Sequence, residues 1–195
     1  MEDSLATASL AQFTEDLASG RPTPGGGAAA AMAGALGASL VSMVCRFTVG
    51  REKFAAVEAD VQAILERADE SRNRFLAAVD ADARAFAGVA AAYGLPRATD
   101  DEKQARTEAI RSASWDAAQP PLQVVEDSAA LLELCQAAGP ITNPMLGSDV
   151  TTAIVLARAA LEGGVANVEA NLSGVSDEHA QELRSRIDRA RQRAA

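Results

Sequence analysis

Pro22–Gly50 reads PTPGGGAAAAMAGALGASLVSMVCRFTVG. A stiff Pro-Thr-Pro entry leads into three glycines, then small residues, then larger apolar ones, with no charge between Pro22 and Cys45. Proline holds φ and glycine frees it, so Pro24-Gly25-Gly26-Gly27 predicts a turn that opens a helix. Amides at such a helix start can seat an anion or a polar ligand, although a glycine triplet before a helix is more often a plain turn. No Gly-Lys-Ser/Thr follows, and no G-x-G-x-x-G follows a strand pattern, so neither nucleotide loop is present. An uncharged stretch of this length is long enough to cross a bilayer. Alanine, glycine and serine supply little transfer energy, however, and no other stretch looks like a membrane partner. The expectation is a helix buried in a core or an oligomer interface.

The remaining composition fits that reading. The 195 residues are enough for one domain, 1–195, with a full core. Hydrophobic residues make up 48% but aromatics only 4%, which favours helices packed at short distances over a sheet. A formal charge of −9 and a pI near 4.7 argue against nucleic acid and suit a cationic or amphoteric small molecule. Cys45 and Cys135 each sit inside an apolar helical pattern and read as reduced, buried thiols of a cytoplasmic protein. Met1–Phe13 has no basic region and no long apolar run, so no signal peptide is expected. His179 is the one histidine in the sequence, in a polar segment where it is expected to be solvated. A histidine metal cluster or a Ser-His-Asp triad is therefore excluded by inventory.

Leu5, Leu10, Phe13 and Leu17 share one face of a first helical pattern, with Ser4 as a candidate cap and Gly20 as a stop. After the glycine-led helix, one pattern runs from Arg51 to Tyr93 and would be about 60 Å long if unbroken. Phe54, Val61, Ala68, Phe75, Asp82 and Val89 recur there every seven residues, the mark of a helix packed along its length. Thr99-Asp100-Asp101-Glu102 is a strong helix start. Pro120-Pro121 is expected to break or kink that helix, and the period resumes from Leu122 to Ala138. Ser148-Asp149 offers a cap for a sixth helix to about Leu172, and Ser176-Asp177-Glu178 one for a last helix with an arginine-rich end. With no alternating strand pattern, the fold is predicted all-α: a bundle of about seven helices, one long, around a buried Ala/Gly-rich helix.

Three features break the pattern. Asp82 occupies an apolar slot of the seven-residue series, where a dry, unpaired carboxylate costs several kcal/mol. An internal salt bridge, a locally open stripe or a ligand pocket would each explain it. Asn167 and Asn171 continue a stripe of small residues (Ala153, Ala157, Ala160, Gly164), either as inter-helix locks or as ligand contacts. Ser148-Asp149 is explained by a helix cap alone, yet beside a glycine-containing loop the pair also places a hydroxyl and a carboxylate at a helix mouth.

Taken together, the sequence resembles the cyclodeaminase/cyclohydrolase family of folate enzymes over nearly its whole length. The resemblance rests on Pro22–Gly27, Ala33–Ala38, Thr48-Val49-Gly50 with Lys53, Asp82 with Ala85-Phe86, Asn143 followed by Ser148-Asp149, and Asn167-Val168 with Asn171-Leu172. Ala28, Phe54 and Thr142 stand where the family usually has serine, tyrosine and glycine. The resemblance implies an all-α homodimer in the cytoplasm, with a cleft near the helix interface and a folate derivative as substrate. Neither a metal nor a redox cofactor, nor a nucleic-acid or membrane partner, is implied. Asp82, Asp149 and Lys53 become candidate catalytic residues. Pro24, Gly25, Gly26, Gly27, Arg46, Asn143, Ser148, Asn167 and Asn171 become candidate substrate-binding residues.

Two family reactions are implied: hydrolysis of 5,10-methenyltetrahydrofolate to 10-formyltetrahydrofolate, and cyclisation of 5-formiminotetrahydrofolate with loss of ammonia. The first is preferred because no transferase domain is attached to feed the second. A non-catalytic, folate-binding helical dimer is the alternative from another class. In either reaction Asp82 or Asp149 would hold the cationic centre and move protons. Lys53 and Arg46 would meet the glutamate tail, or Lys53 the reacting centre.

Overall fold

The structure, a computed structural model, describes residues 4–195; the first three residues of the Met1–Phe13 segment lie outside it. The described residues hold six α-helices: α1 (Leu10–Ala18), α2 (Gly26–Arg46), α3 (Glu58–Tyr93), α4 (Asp100–Ile141), α5 (Gly147–Asn171) and α6 (Asp177–Ala194). Short 3₁₀ turns at Leu5–Thr7, Glu52–Val57, Pro144–Leu146 and Leu172–Gly174 join or precede them. The all-α expectation holds, with six helices in place of about seven. The fourth and fifth predicted helices are one.

That helix, α4, runs through Pro120 and Pro121 without ending. A proline inside a helix withholds an N–H and leaves the carbonyl four residues back without its backbone partner. For Pro121 that carbonyl belongs to Ala117, and the Asn171 side-chain amide reaches it at 3.5 Å. The residues from Ala117 to Ala138 also carry much of the buried face of α4, so tertiary packing outweighs the local proline penalty. The bundle accordingly has two long helices, α3 and α4, where one was predicted, and α3 starts only after the Glu52–Val57 turn.

Helices α2 and α4 each pack against both α3 and α5, and α6 lies along α4. Successive helices run up and down. Gly26 lies beside Asn167, Gly163 beside Ala30, and Gly37 beside Ala153, so α2 and α5 are antiparallel. Small residues make this close approach possible. A Cβ on Gly34 would fall inside the Phe75 ring, and one on Gly164 would meet the Val125 side chain at 2.8 Å and the Pro121 carbonyl at 3.0 Å. Val61, Ala68 and Phe75 of the seven-residue series are fully buried, as are Ala31, Ala38, Val41, Val44, Ala153, Ala157 and Ala160. Helix α2 is the one described helix long and apolar enough to cross a membrane, and 61% of that window is buried against its neighbours.

Some local readings need correction. Ser4 caps nothing; its hydroxyl donates to Asp80 on α3 at 2.6 Å, and Ser9 caps α1 instead. Of the predicted apolar face, Phe13 is buried while Leu10 is 71% exposed. Thr99 and Glu102 form a reciprocal capping box, and Ser176 caps α6, both as expected. Helix α5 begins at Gly147, one residue before Ser148, so Ser148 is not its cap. His179 is half-buried, its ring stacked on Trp115 with centroids 4.1 Å apart. Cys45 and Cys135 are buried free thiols, and burial pushes them up to about 11 and about 12.

Candidate functional site

The cleft lies where α2 begins and α5 ends. Because α3 runs eleven residues beyond Asp82 and α4 starts well before Ala117, their hairpin projects past the start of α2. Beneath it opens a cleft of about 290 Å³, lined on one side by Pro22, Gly25 and Gly26, and on the others by Asp82, Phe86, Val89, Ala117, Asn167, Ala170 and Asn171.

Asp82 is held by geometry rather than by a counter-ion. Its Oδ2 accepts a hydrogen bond from the Ala28 N–H at 3.1 Å, in the first turn of α2 where the helix dipole favours negative charge. No salt bridge to Asp82 occurs among the described residues. Burial raises its carboxyl above the ordinary carboxylate range, and the Ala28 bond offsets part of that rise. Of the three explanations its sequence position allowed, the internal salt bridge is absent among the described residues, and the carboxylate lines the cleft. Gly27 is the residue that makes room: a Cβ there would fall on the Asp82 carboxylate. Gly27 and Pro24 are both buried behind the wall of the cleft rather than lining it.

The two asparagines are oriented by backbone carbonyls. Asn167 Nδ2 donates to the Gly163 carbonyl at 2.8 Å, and Asn171 Nδ2 to the Asn167 carbonyl at 3.0 Å and to that of Ala117. A carbonyl accepts only, so the nitrogens must face those oxygens and each Oδ1 is left as an acceptor. The polar side chains lining the cleft are therefore a carboxylate and two amides with free oxygens, and no lysine or arginine lines it. Such a wall suits a cation or a ring rich in N–H groups.

The remaining candidates lie elsewhere. Arg46 ends α2, roughly 30 Å of helix away from Gly26, and pairs with Asp69 at 2.6 Å. Lys53 follows in the next turn, exposed, with its Nζ 5.4 Å from the Phe54 ring centroid. Asn143 joins this end of the bundle, its N–H donating to Thr48 Oγ1 at 3.0 Å while its Oδ1 accepts from the Met145 N–H at 3.1 Å. Ser148 is exposed and Asp149 half-buried in the first turn of α5. Within one copy the candidates thus form two groups at opposite ends of α2. Gly25, Gly26, Asp82, Asn167 and Asn171 share the cleft. Arg46, Lys53, Asn143, Ser148 and Asp149 do not reach it.

Sequence reasoning gave no site role to Pro22, Phe86, Val89, Ala117 or Ala170. Phe86 and Val89 follow Asp82 by four and seven residues, so helical spacing alone puts them on its face. Nothing in the sequence points to Ala117 or Ala170.

The Formiminotransferase-cyclodeaminase family profile matches residues 9–189. The methenyltetrahydrofolate cyclohydrolase of Methylorubrum extorquens is 40% identical over 165 residues, covering 85% of this chain and 79% of that protein. The formimidoyltransferase-cyclodeaminase of Rattus norvegicus is 33% identical over 91% of this chain, which spans 33% of the rat protein's length. The crystal structure of a formiminotetrahydrofolate cyclodeaminase from Thermotoga maritima superposes with a TM-score of 0.79 at 28% identity, covering 96% of this chain and 94% of the other.

Proposed function

The chain belongs to the formiminotransferase-cyclodeaminase family, and we propose that it is a methenyltetrahydrofolate cyclohydrolase, with Asp82 as its proton-transferring group. The observation that carries this is a half-buried carboxylate with no counter-ion, set in a cleft whose other side-chain polar groups, Asn167 and Asn171, offer only free oxygens. The substrate's methenyl bridge carries a positive charge shared over N5, the bridging carbon and N10. Asp82 supplies the missing counter-charge when that bridge enters.

Water adds to the bridging carbon, and Asp82 takes one of its protons as the C–O bond forms. The N5–carbon bond then breaks, and Asp82 returns a proton to N5. The remaining hydroxyl proton leaves to solvent as the formyl group on N10 is completed. Burial raises this carboxyl above the ordinary carboxylate range, which makes it a better proton acceptor than a solvated carboxylate, and its protonated form can return the proton to N5. Asp149 of the same copy cannot share this role, because it stands at the other end of α2. The reaction so written calls for no metal and no redox cofactor.

The working unit in this reading is a cytoplasmic homodimer. The outer face of α2 carries an apolar stripe from Met32 through Leu36, Leu40 and Met43 to Phe47, with Leu36 46% and Phe47 52% exposed. A two-fold axis near Leu36 would cover that stripe. It would also carry Lys53, Arg46, Asn143, Ser148 and Asp149 of a second copy toward the Asp82 cleft, where its cations would meet the glutamate tail.

The relative from Thermotoga maritima supports the second family reaction, formimino cyclisation with loss of ammonia, because its fold is matched so closely. Both reactions need a carboxylate beside a cationic carbon. One assay separates them: the purified protein is offered 5,10-methenyltetrahydrofolate and, separately, 5-formiminotetrahydrofolate. Faster loss of methenyl absorbance than the uncatalysed rate, with no ammonia from the formimino compound, supports the cyclohydrolase. Ammonia release alone overturns it in favour of the cyclodeaminase. Folate binding with neither activity supports a non-catalytic dimer.

A further inference from the structure

The cleft has an aromatic wall that the chemistry above does not use. Phe86 stands one turn beyond Asp82 on α3 and remains 43% exposed. Helical side chains lean back toward the preceding turn, so its ring overhangs the side on which the Asp82 carboxylate lies. The same cleft is also lined by Pro22 and by the side-chain-free residues Gly25 and Gly26. Phe86 is the one aromatic side chain among these lining residues, four residues from the one carboxylate. The core around it is built mainly of alanine, valine and leucine, and the 43% of Phe86 left in water gains no burial energy from the fold.

We infer that Phe86 holds the positively charged ring of the substrate against its π face, and so sets a preference for cationic over neutral folates. The inference rests on the cyclohydrolase reading of the same cleft. A phenyl face carries negative quadrupole density and attracts a cation placed over it, more strongly where water is excluded. The methenyl substrate is flat and charged across its five-membered ring; the formyl product has lost both properties. Asp82 and Phe86 together therefore grip the substrate and release the product, the first by charge and the second by charge and shape.

The test replaces Phe86 by leucine, which keeps apolar bulk and removes the ring, and by tyrosine, which keeps the ring. The KM for methenyltetrahydrofolate and the Kd for folic acid, whose ring is uncharged, are measured for each. Phe86→Leu is expected to raise the KM about tenfold, with kcat and the folic acid Kd within about twofold of wild type and Phe86→Tyr close to wild type. Progressively fluorinated phenylalanine at this position weakens substrate binding step by step. An unchanged KM in Phe86→Leu overturns the inference. So does an equal weakening of substrate and folic acid, which would leave the ring as a mere filler. If the wild type turns over neither folate, the function reading fails by itself. The Phe86 inference is then decided by the same ratio, read from equilibrium binding of the cationic and neutral folates. Unfolding temperatures for both variants control for damage to the fold.

Discussion

Replacing Gly27 by alanine puts one methyl group where the Asp82 carboxylate sits. The added Cβ would overlap the carboxylate itself, so one of the two must move. The methyl is fixed to the first turn of α2, a buried position, so Asp82 is the group that yields. Moving it breaks the 3.1 Å bond from the Ala28 N–H. A hydrogen bond to a charged acceptor contributes about 1.5–3 kcal/mol, and overpacking a buried site costs about 1–3 kcal/mol. Displacing the acid by about 1 Å lowers turnover by roughly 10²-fold. Thermal unfolding and steady-state turnover of methenyltetrahydrofolate are measured on the same preparation. Gly88→Ala is the control. A Cβ there meets nothing within 4 Å, so helix propensity alone stabilises by up to ~1 kcal/mol, and the unfolding temperature rises by about 2–4 °C with turnover unchanged. Gly27→Ala that keeps wild-type turnover would refute the reasoning, because Asp82 would then not need its observed position.

Three other outcomes follow from the same geometry. Asp82 has a carboxyl raised by burial, so the folded chain holds its proton at a pH where the unfolded chain has released it; stability falls as pH rises through that window. Asp82→Asn is therefore at least as stable as wild type at pH 7, and the difference disappears below the carboxylate range; chemical denaturation at the two pH values reads it. Asn171→Ala leaves the Ala117 carbonyl, already without a backbone partner, unpaired, at a cost of about 1–3 kcal/mol in denaturant unfolding. Leu36→Glu puts charge in the middle of the exposed α2 stripe; with the proposed dimer, sedimentation is expected to give a dimer for wild type and a monomer for the variant.

Much of this was legible in the residues. The seven-residue series marked the buried stripe of α3, and Asp82 stood out because it fills an apolar slot of that series, although its lack of a cation partner is seen only in the structure. The small-residue stripe of α5 and the glycines of α2 are complementary where Gly37 meets Ala153, and other glycines make room for larger neighbours: Gly34 for Phe75, Gly164 for Val125 and Gly27 for Asp82. Other features depended on contacts between distant parts of the chain. Ser4 looked like a cap but is spent on Asp80, far along the sequence. Pro120-Pro121 looked like a break, yet burial of α4 and the Asn171 amide keep the helix continuous. The division of the candidate site has a topological cause. Helices α2 to α5 alternate in direction, so α5 starts beside the end of α2, and Ser148-Asp149 cannot meet Gly25–Gly27 within one copy.

The central claim is that Asp82 carries out the chemistry in the cleft at the start of α2. Its most direct test is the rate of methenyltetrahydrofolate hydrolysis by wild type and by Asp82→Asn, both checked for intact helical content. The account predicts clear catalysis by wild type and a loss of well over tenfold in the variant, on the scale expected for a lost acid–base group. Equal rates for the two proteins would contradict it.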